Sequence, residues 1–123
     1  MPGPEDLVHV SDRGGVKLVR LRMQAVRAEE EVEALGRGLM ALTEEPGVRI
    51  VLSFLGVQYL TSLVLGRLIQ VHKRLAESGG ELRLADIDPQ LYEIFAITRL
   101  DRLFRVFERE DDAVSSFVGN VEG

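Results

Sequence analysis

Cysteine is absent from the 123 residues. That absence excludes a disulfide framework, a thiolate zinc or iron–sulfur site and a thiol nucleophile. It is compatible with the cytoplasm, the location expected here. No apolar run approaches the roughly 18 residues that a membrane span needs, so membrane insertion is not expected. The opening Met1-Pro2-Gly3-Pro4-Glu5-Asp6 has no basic stretch followed by an apolar one, and no secretory signal is visible. Basic charge is in short supply: 15 Lys and Arg stand against 20 Asp and Glu, a net −5. Binding to a phosphate backbone needs a basic surface, so nucleic acid is not an expected partner. Only His9 and His72 are available as imidazoles. Neither has a second His at ligand spacing, and no metal or other cofactor is expected.

The signatures of common chemistries are missing as well. There is no GxGxxG, no GxxxxGK[ST] and no G-x-S-x-G. Ser62 and His72 lie ten residues apart on one predicted helix, about 15 Å along its axis. They are beyond hydrogen-bond reach, and no nucleophile–base pair forms there. No catalytic residue is assigned, and the chain is not expected to be an enzyme.

What is present is the composition of a globular chain, 46% hydrophobic and 28% charged, at a length that suits one domain. Residues 1–5 are expected to be a flexible lead-in and residues 6–119 a single domain. Leu7 to Val10 and Val16 to Arg22 read as a hairpin across Gly14-Gly15, with Val16, Leu18 and Arg20 on one parity. Val32, Leu35, Leu39 and Leu42 trace one face of a helix over Ala28–Glu45. Its first turn holds Glu29, Glu30 and Glu31, and Pro46-Gly47 stops it. Gly36 and Gly38 weaken it, which suggests close packing on a sheet. Val48–Phe54 is apolar and β-branched, as a central strand buried on both faces would be.

The link from Leu55 to Leu60 leads to Thr61-Ser62, where an N-cap is expected. A helix then runs to about Ser78, and Gly79-Gly80 closes it. Leu82–Ile87 is the next strand. Asp88-Pro89 is a cap and first-turn pair opening a helix to Ile97. Leu103–Phe107 reads as a strand, and Glu108–Val118 as an acid-started helix. The order ββ-α-β-α-β-α-β-α predicts an α/β domain, with a mostly parallel mixed β-sheet preceded by an N-terminal β-hairpin. His72 is expected on a helix face with its imidazole at the surface, His9 on the solvent side of a strand, and most aromatics in the core. The mixed-sign run Arg99–Glu110 is expected to be a solvated face.

Thr61-Ser62 admits two readings from the residues alone. The pair is a helix cap, worth about 1 kcal/mol, or it is a phosphorylatable switch. A phosphate adds about −1.5 to −2 charge, which a helix N-terminus tolerates and a partner pressed onto the same spot does not.

Four segments, in order, resemble a STAS domain, the fold of the anti-sigma factor antagonists. Val48–Leu52 is similar to the central strand of that family. Tyr59-Leu60-Thr61-Ser62 and the following helix resemble its aromatic-aliphatic-D/S-S-S/A-G-L-G stretch. Ser78–Leu84 resembles its G-G turn and next strand. Ile97-Thr98-Arg99-Leu100-Asp101-Arg102-Leu103-Phe104 is similar to T-G-L-D-x-L-F, with Arg99 in place of Gly. The resemblance implies a single STAS-like domain with helices packed mainly on one face, acting as a protein-binding module. It also implies two partners: an anti-sigma factor serine/threonine kinase that binds and phosphorylates the loop before the second helix, and a PP2C-type phosphatase that reverses this. The candidate partner surface is Gly56, Gln58, Tyr59, Leu63, Val64 and Arg67, with at most one of Leu63 and Val64 expected to be exposed. Without gaps, Leu63 occupies the usual acceptor position and Val64 replaces a Gly. Two alternatives follow: Ser62 or Thr61 accepts the phosphate instead, or the chain is a constitutive scaffold, in a regulatory complex or a lipid-transport machine, that docks without switching.

Overall fold

A computed structural model gives the fold and describes residues 7–23, 25–26 and 28–118. The lead-in expected over residues 1–5, and both ends of the expected 6–119 domain, lie outside the described residues. Gly14 and Gly15 have positive φ, 63° and 92°. They turn β1 (Val8–Arg13) into an antiparallel partner of β2 (Val16–Leu21). Asp12 fixes the turn by accepting the Gly15 N–H at 2.9 Å. From β2 onward every sheet partner is parallel. β4 (Arg49–Ser53), β6 (Glu81–Ala85) and β7 (Arg105–Phe107) complete the order β1-β2-β4-β6-β7. Five helices connect or cover the strands among the described residues: α1 (Glu29–Leu42), α2 (Ser62–Glu77), α3 (Pro89–Ile97), α4 (Leu100–Leu103) and α5 (Glu110–Val118). None is long and apolar enough to cross a membrane.

Strand parity decides which side chains meet which helices. Ile50, Leu52, Leu82 and Leu84 join the large core with Leu35 and Leu39 of α1, Leu68 and Leu75 of α2, and Phe95 of α3. Val16, Leu18, Val51 and Ala85 point the other way and meet Ala113 and Phe117 of α5. The helices are therefore mainly on one face, and among the described residues only α5 covers the second. At the centre of the sheet β4 is buried from Ile50 to Ser53, as its apolar composition predicts.

Several expectations need correction. α1 ends at Leu42, before Pro46, because Thr43 caps it and its hydroxyl donates to the Met40 carbonyl at 2.6 Å. Gly36 lies against the Arg67 stem of α2, with Cδ 3.2 Å from where a Cβ would sit, so its close neighbour is a helix and not the sheet. Leu103 belongs to α4, and the last strand starts at Arg105. Two-residue strands β3 (Ala25–Val26) and β5 (Tyr59–Leu60) pair in parallel, and β5 lies within the segment read as a link. His72 is half-buried, edge-on to Phe104 with ring centroids 5.3 Å apart. Glu110, within the run expected to be solvated, is buried. Phe54, Phe95, Phe104 and Phe117 are core residues as expected, and His9 is exposed.

Arg99 explains one departure from the family pattern. It follows the Thr98 C-cap of α3 with φ 63° and ψ 19°, the left-handed conformation that glycine adopts freely and other L-residues adopt at a cost of roughly 1–2 kcal/mol. This is where T-G-L-D-x-L-F carries glycine. Arg99→Gly is expected to raise stability by about 1 kcal/mol, after glycine's larger unfolded-state entropy is subtracted. Urea unfolding measures it, and an unchanged or lower midpoint would contradict the assignment of strain.

Candidate functional site

The site grows from the C-terminal end of β4. Ser53 is fully buried, and its hydroxyl accepts the Leu55 N–H at 3.3 Å. Phe54 anchors the loop in the core, edge-on to Phe95 at 5.8 Å. Gly56 then takes φ 85°, and the Val57 N–H returns to the Phe54 carbonyl at 2.8 Å. This tight turn lifts Leu55, Gly56 and Gln58 to the surface while Val57 points back inside. β5 pins the far end of the loop through β3, leaving Tyr59 46% exposed and Leu60 buried.

The two hydroxyls then part company. Thr61 is the N-cap by backbone conformation (φ −88°, ψ 163°), and its carbonyl accepts the Val64 N–H at 3.1 Å. Its side chain makes no cap bond. Oγ1 is buried with no hydrogen-bond partner among the described residues. Thr61 as a whole is half-buried, and its hydroxyl oxygen is the covered part. Ser62 is exposed at the first residue of α2. The α2 first turn has no acidic side chain, unlike that of α1. Its N–H groups lack a side-chain cap and carry the positive end of the helix dipole.

Leu63 is 55% exposed, whereas Val64 is 1% exposed. Val64 sits in the core among the residues beneath α2, and so is not part of the exposed surface. This division follows from helix geometry: successive residues point about 100° apart. Arg67 is half-buried. It pairs with Glu33 of α1 and donates to Gln70 at 3.1 Å. Arg67 thus ties α1 to α2, and its charge is already matched. Leu63, Gly66, Arg67, Glu29 and Glu33 line a shallow hollow of about 330 Å³ between the two helices. Leu55, 60% exposed, adds to the apolar surface and was not singled out from the sequence. Its position next to Gly56 at a strand end was the available signal.

Behind the loop, on the α5 side, lies a polar cluster. Arg20 donates twice to Glu110, at 2.9 and 2.7 Å. The Arg20 hydrogen bonds hold the Glu110 carboxyl below its ordinary value, against the opposing effect of burial, with help from the Ser53 hydroxyl. The backbone N–H of Glu110 donates to Asp86 Oδ2 at 2.8 Å. Ser53 therefore links the first residue of the loop to the start of α5.

A sequence model described as STAS domain matches residues 13–113. Among solved structures, the chain is similar to an anti-sigma-factor antagonist (STAS) domain protein from Planctomyces limnophilus. The TM-score is 0.81 at 20% identity, over 89% of this chain and 95% of that one. An anti-sigma factor antagonist from Mycobacterium paratuberculosis gives 0.77 at 23% identity, over 89% and 91% of the two chains. The murine Solute Carrier 26 family member A9 anion transporter gives 0.68 at 19% identity. There 85% of this chain is covered but only 18% of the transporter.

Proposed function

The chain belongs to the STAS domain family, and from that premise we propose that it binds a protein partner through the Leu55–Leu63 corner. The proposed partner is an anti-sigma factor serine/threonine kinase, and phosphorylation of Ser62 is the proposed control. The carrying observation is the exposed Ser62 at an uncapped helix start, set between exposed Leu55, Tyr59 and Leu63. Apolar side chains supply the contact energy, and the hydroxyl supplies the switch. A phosphate at Ser62 meets free N–H groups in the isolated domain, so the fold accepts it. Within a complex the same charge is desolvated without a partner, and each 1.4 kcal/mol of that cost is about tenfold in affinity. A PP2C-type phosphatase restores the docking form.

The test is intact mass after incubation with the kinase and ATP. The expected gain is about 80 Da, one phosphoryl group, reversed by the phosphatase and absent from Ser62→Ala. Ser62→Asp is expected to weaken kinase binding at least tenfold, by roughly the same desolvation penalty. A gain that persists in Ser62→Ala would place the acceptor elsewhere.

A second reading is a constitutive STAS scaffold. It is supported by Leu63, which occupies the usual acceptor register and is exposed, an apolar contact that cannot be charged. On that reading no mass gain appears and Ser62→Asp keeps its partner.

A further inference from the structure

The loop just described has a second wall. Beyond Leu55, Gly56 and Gln58, a hollow of about 270 Å³ opens toward Asp86, Ile87, Asp88 and Glu108. Across Ile87 and Glu108 it adjoins a larger groove of about 540 Å³, lined by Pro89, Tyr92, Val106 and Phe107. That volume falls within the range of sites that seat a ligand group. The two hollows lie at the C-terminal ends of parallel strands β4, β6 and β7, where α/β sheets commonly bind.

The larger groove is mainly apolar with Glu108 at its edge, and the smaller hollow is more polar, lined by the carboxylates of Asp86, Asp88 and Glu108. Glu108 is exposed and has no hydrogen-bond or ion-pair partner among the described residues. Asp88 is exposed, and its carboxylate accepts the Gln90 N–H at the start of α3. Asp86 accepts from Glu110 N–H and lies within the field of Arg20. Among the described residues no Lys, Arg or His lines either hollow. Arg105 also lies nearby, with its guanidinium 5.4 Å from the Phe107 ring centroid. Among the described residues no acidic group is arranged to hold a metal ion. A groove with an apolar wall and a net negative rim, on which Glu108 is the carboxylate with no partner among the described residues, complements a segment that alternates cationic and apolar side chains.

We infer that this groove docks a basic, apolar-alternating segment of the protein partner that binds the Ser62 corner. Continuity through Leu55, Gly56 and Gln58 places both contacts within reach of one partner. The inference rests on the protein-docking reading of the corner, but its test does not use Ser62 chemistry.

The probes are two hexapeptides, Ac-RLRLRL-NH2 and Ac-ELELEL-NH2, titrated into isotope-labelled full chain and followed by amide shifts. The basic peptide is expected to move Ile87, Tyr92, Val106, Phe107 and Glu108, and the acidic peptide to leave them in place. Glu108→Lys changes an exposed, unpaired side chain and is expected to weaken the basic peptide roughly fivefold, with an otherwise native spectrum. Ser62→Asp is expected to leave peptide binding unchanged. Shifts of equal size at the acidic starts of α1 and α5, or unchanged affinity in Glu108→Lys, would overturn the groove. Equal shifts with free arginine amide would overturn the segment, showing a pocket for a small cation. Loss of kinase binding in Ser62→Asp with no effect of Glu108→Lys on either partner would leave the corner standing and remove the groove.

Discussion

Gly80→Ala is expected to cost about 3 kcal/mol of folding free energy, the upper part of the range for overpacking. A Cβ built at Gly80 would sit 2.4 Å from the Val48 carbonyl oxygen, 3.1 Å from Leu75 Cδ2 and 3.2 Å from the Val48 nitrogen. Two of those three atoms are backbone at the entrance to β4, and neither can rotate away. The Val48 carbonyl also accepts the Glu81 N–H at 3.1 Å, the bond that starts β6 alongside β4. Moving it aside would disturb the central strand pair. The neighbouring glycine has a different job. Gly79 takes φ 81°, and α2 ends in a Schellman arrangement, with Gly80 N–H on the Leu75 carbonyl at 2.8 Å and Gly79 N–H on that of Ala76 at 3.4 Å. A Cβ at Gly79 meets nothing within 4 Å. Gly79→Ala is therefore expected to cost only about 1 kcal/mol, the strain of a left-handed alanine. Urea unfolding of the two variants side by side checks the distinction, and equal losses would refute the steric assignment.

Glu110→Gln is expected to lose about 2 kcal/mol at neutral pH, the scale of hydrogen bonds to a charged group. Glu110 is buried, and its side chain is 10% exposed against 44% for Arg20. The amide keeps the shape but loses one of two charge-assisted bonds. The pH dependence has a definite sign. The Glu110 carboxyl is lowered in the folded state, mainly by the Arg20 hydrogen bonds. Its contribution is therefore complete above the ordinary value of 4.5 and disappears as pH falls through the lower folded value. The variant lacks this contribution at every pH, so the two stability curves should converge on acidification below pH 4.5. Asp12, also lowered by Gly15 N–H and Lys17, titrates in both proteins and leaves a shared acid slope. Stability measured by urea from pH 7 to pH 3 reads the difference, and parallel curves would mean that Glu110 is not the linked group.

The sequence made the parallel sheet legible because its central strands are dense in β-branched and apolar residues, and because Asp88-Pro89 and Gly79-Gly80 bound two of its helices. Asp88-Pro89 opens α3 as expected, with Asp88 accepting the Gln90 N–H at 2.9 Å. What escaped has physical reasons. β3 and β5 are two residues each, too short for any periodicity to register. α5 was legible as a helix, but its face of the sheet was not, since that depends on which strand parity it meets. A clue existed: Arg20 shares parity with Val16 and Leu18, which puts a cation on an apolar face and calls for an acid there. Glu110 was hidden in a mixed-charge run, where local pattern cannot distinguish a solvated carboxylate from one paired 90 residues away. At the candidate site, helix geometry implies that at most one of Leu63 and Val64 is exposed, but not which one. The separation of Thr61 from Ser62 is not implied, because it depends on the loop packing above Thr61.

The loop leaves the sheet from its middle strand. β4 has β2 on one side and β6 on the other, and Ser53 at its end is held by the cluster behind it. The corner is thus stiff before any partner arrives. On the docking reading proposed above, the held start of this loop has little left to order, and the ordering penalty falls chiefly on the partner. A partner bringing a flexible segment would bear most of that penalty, and residence time, more than encounter rate, would record how well it is offset.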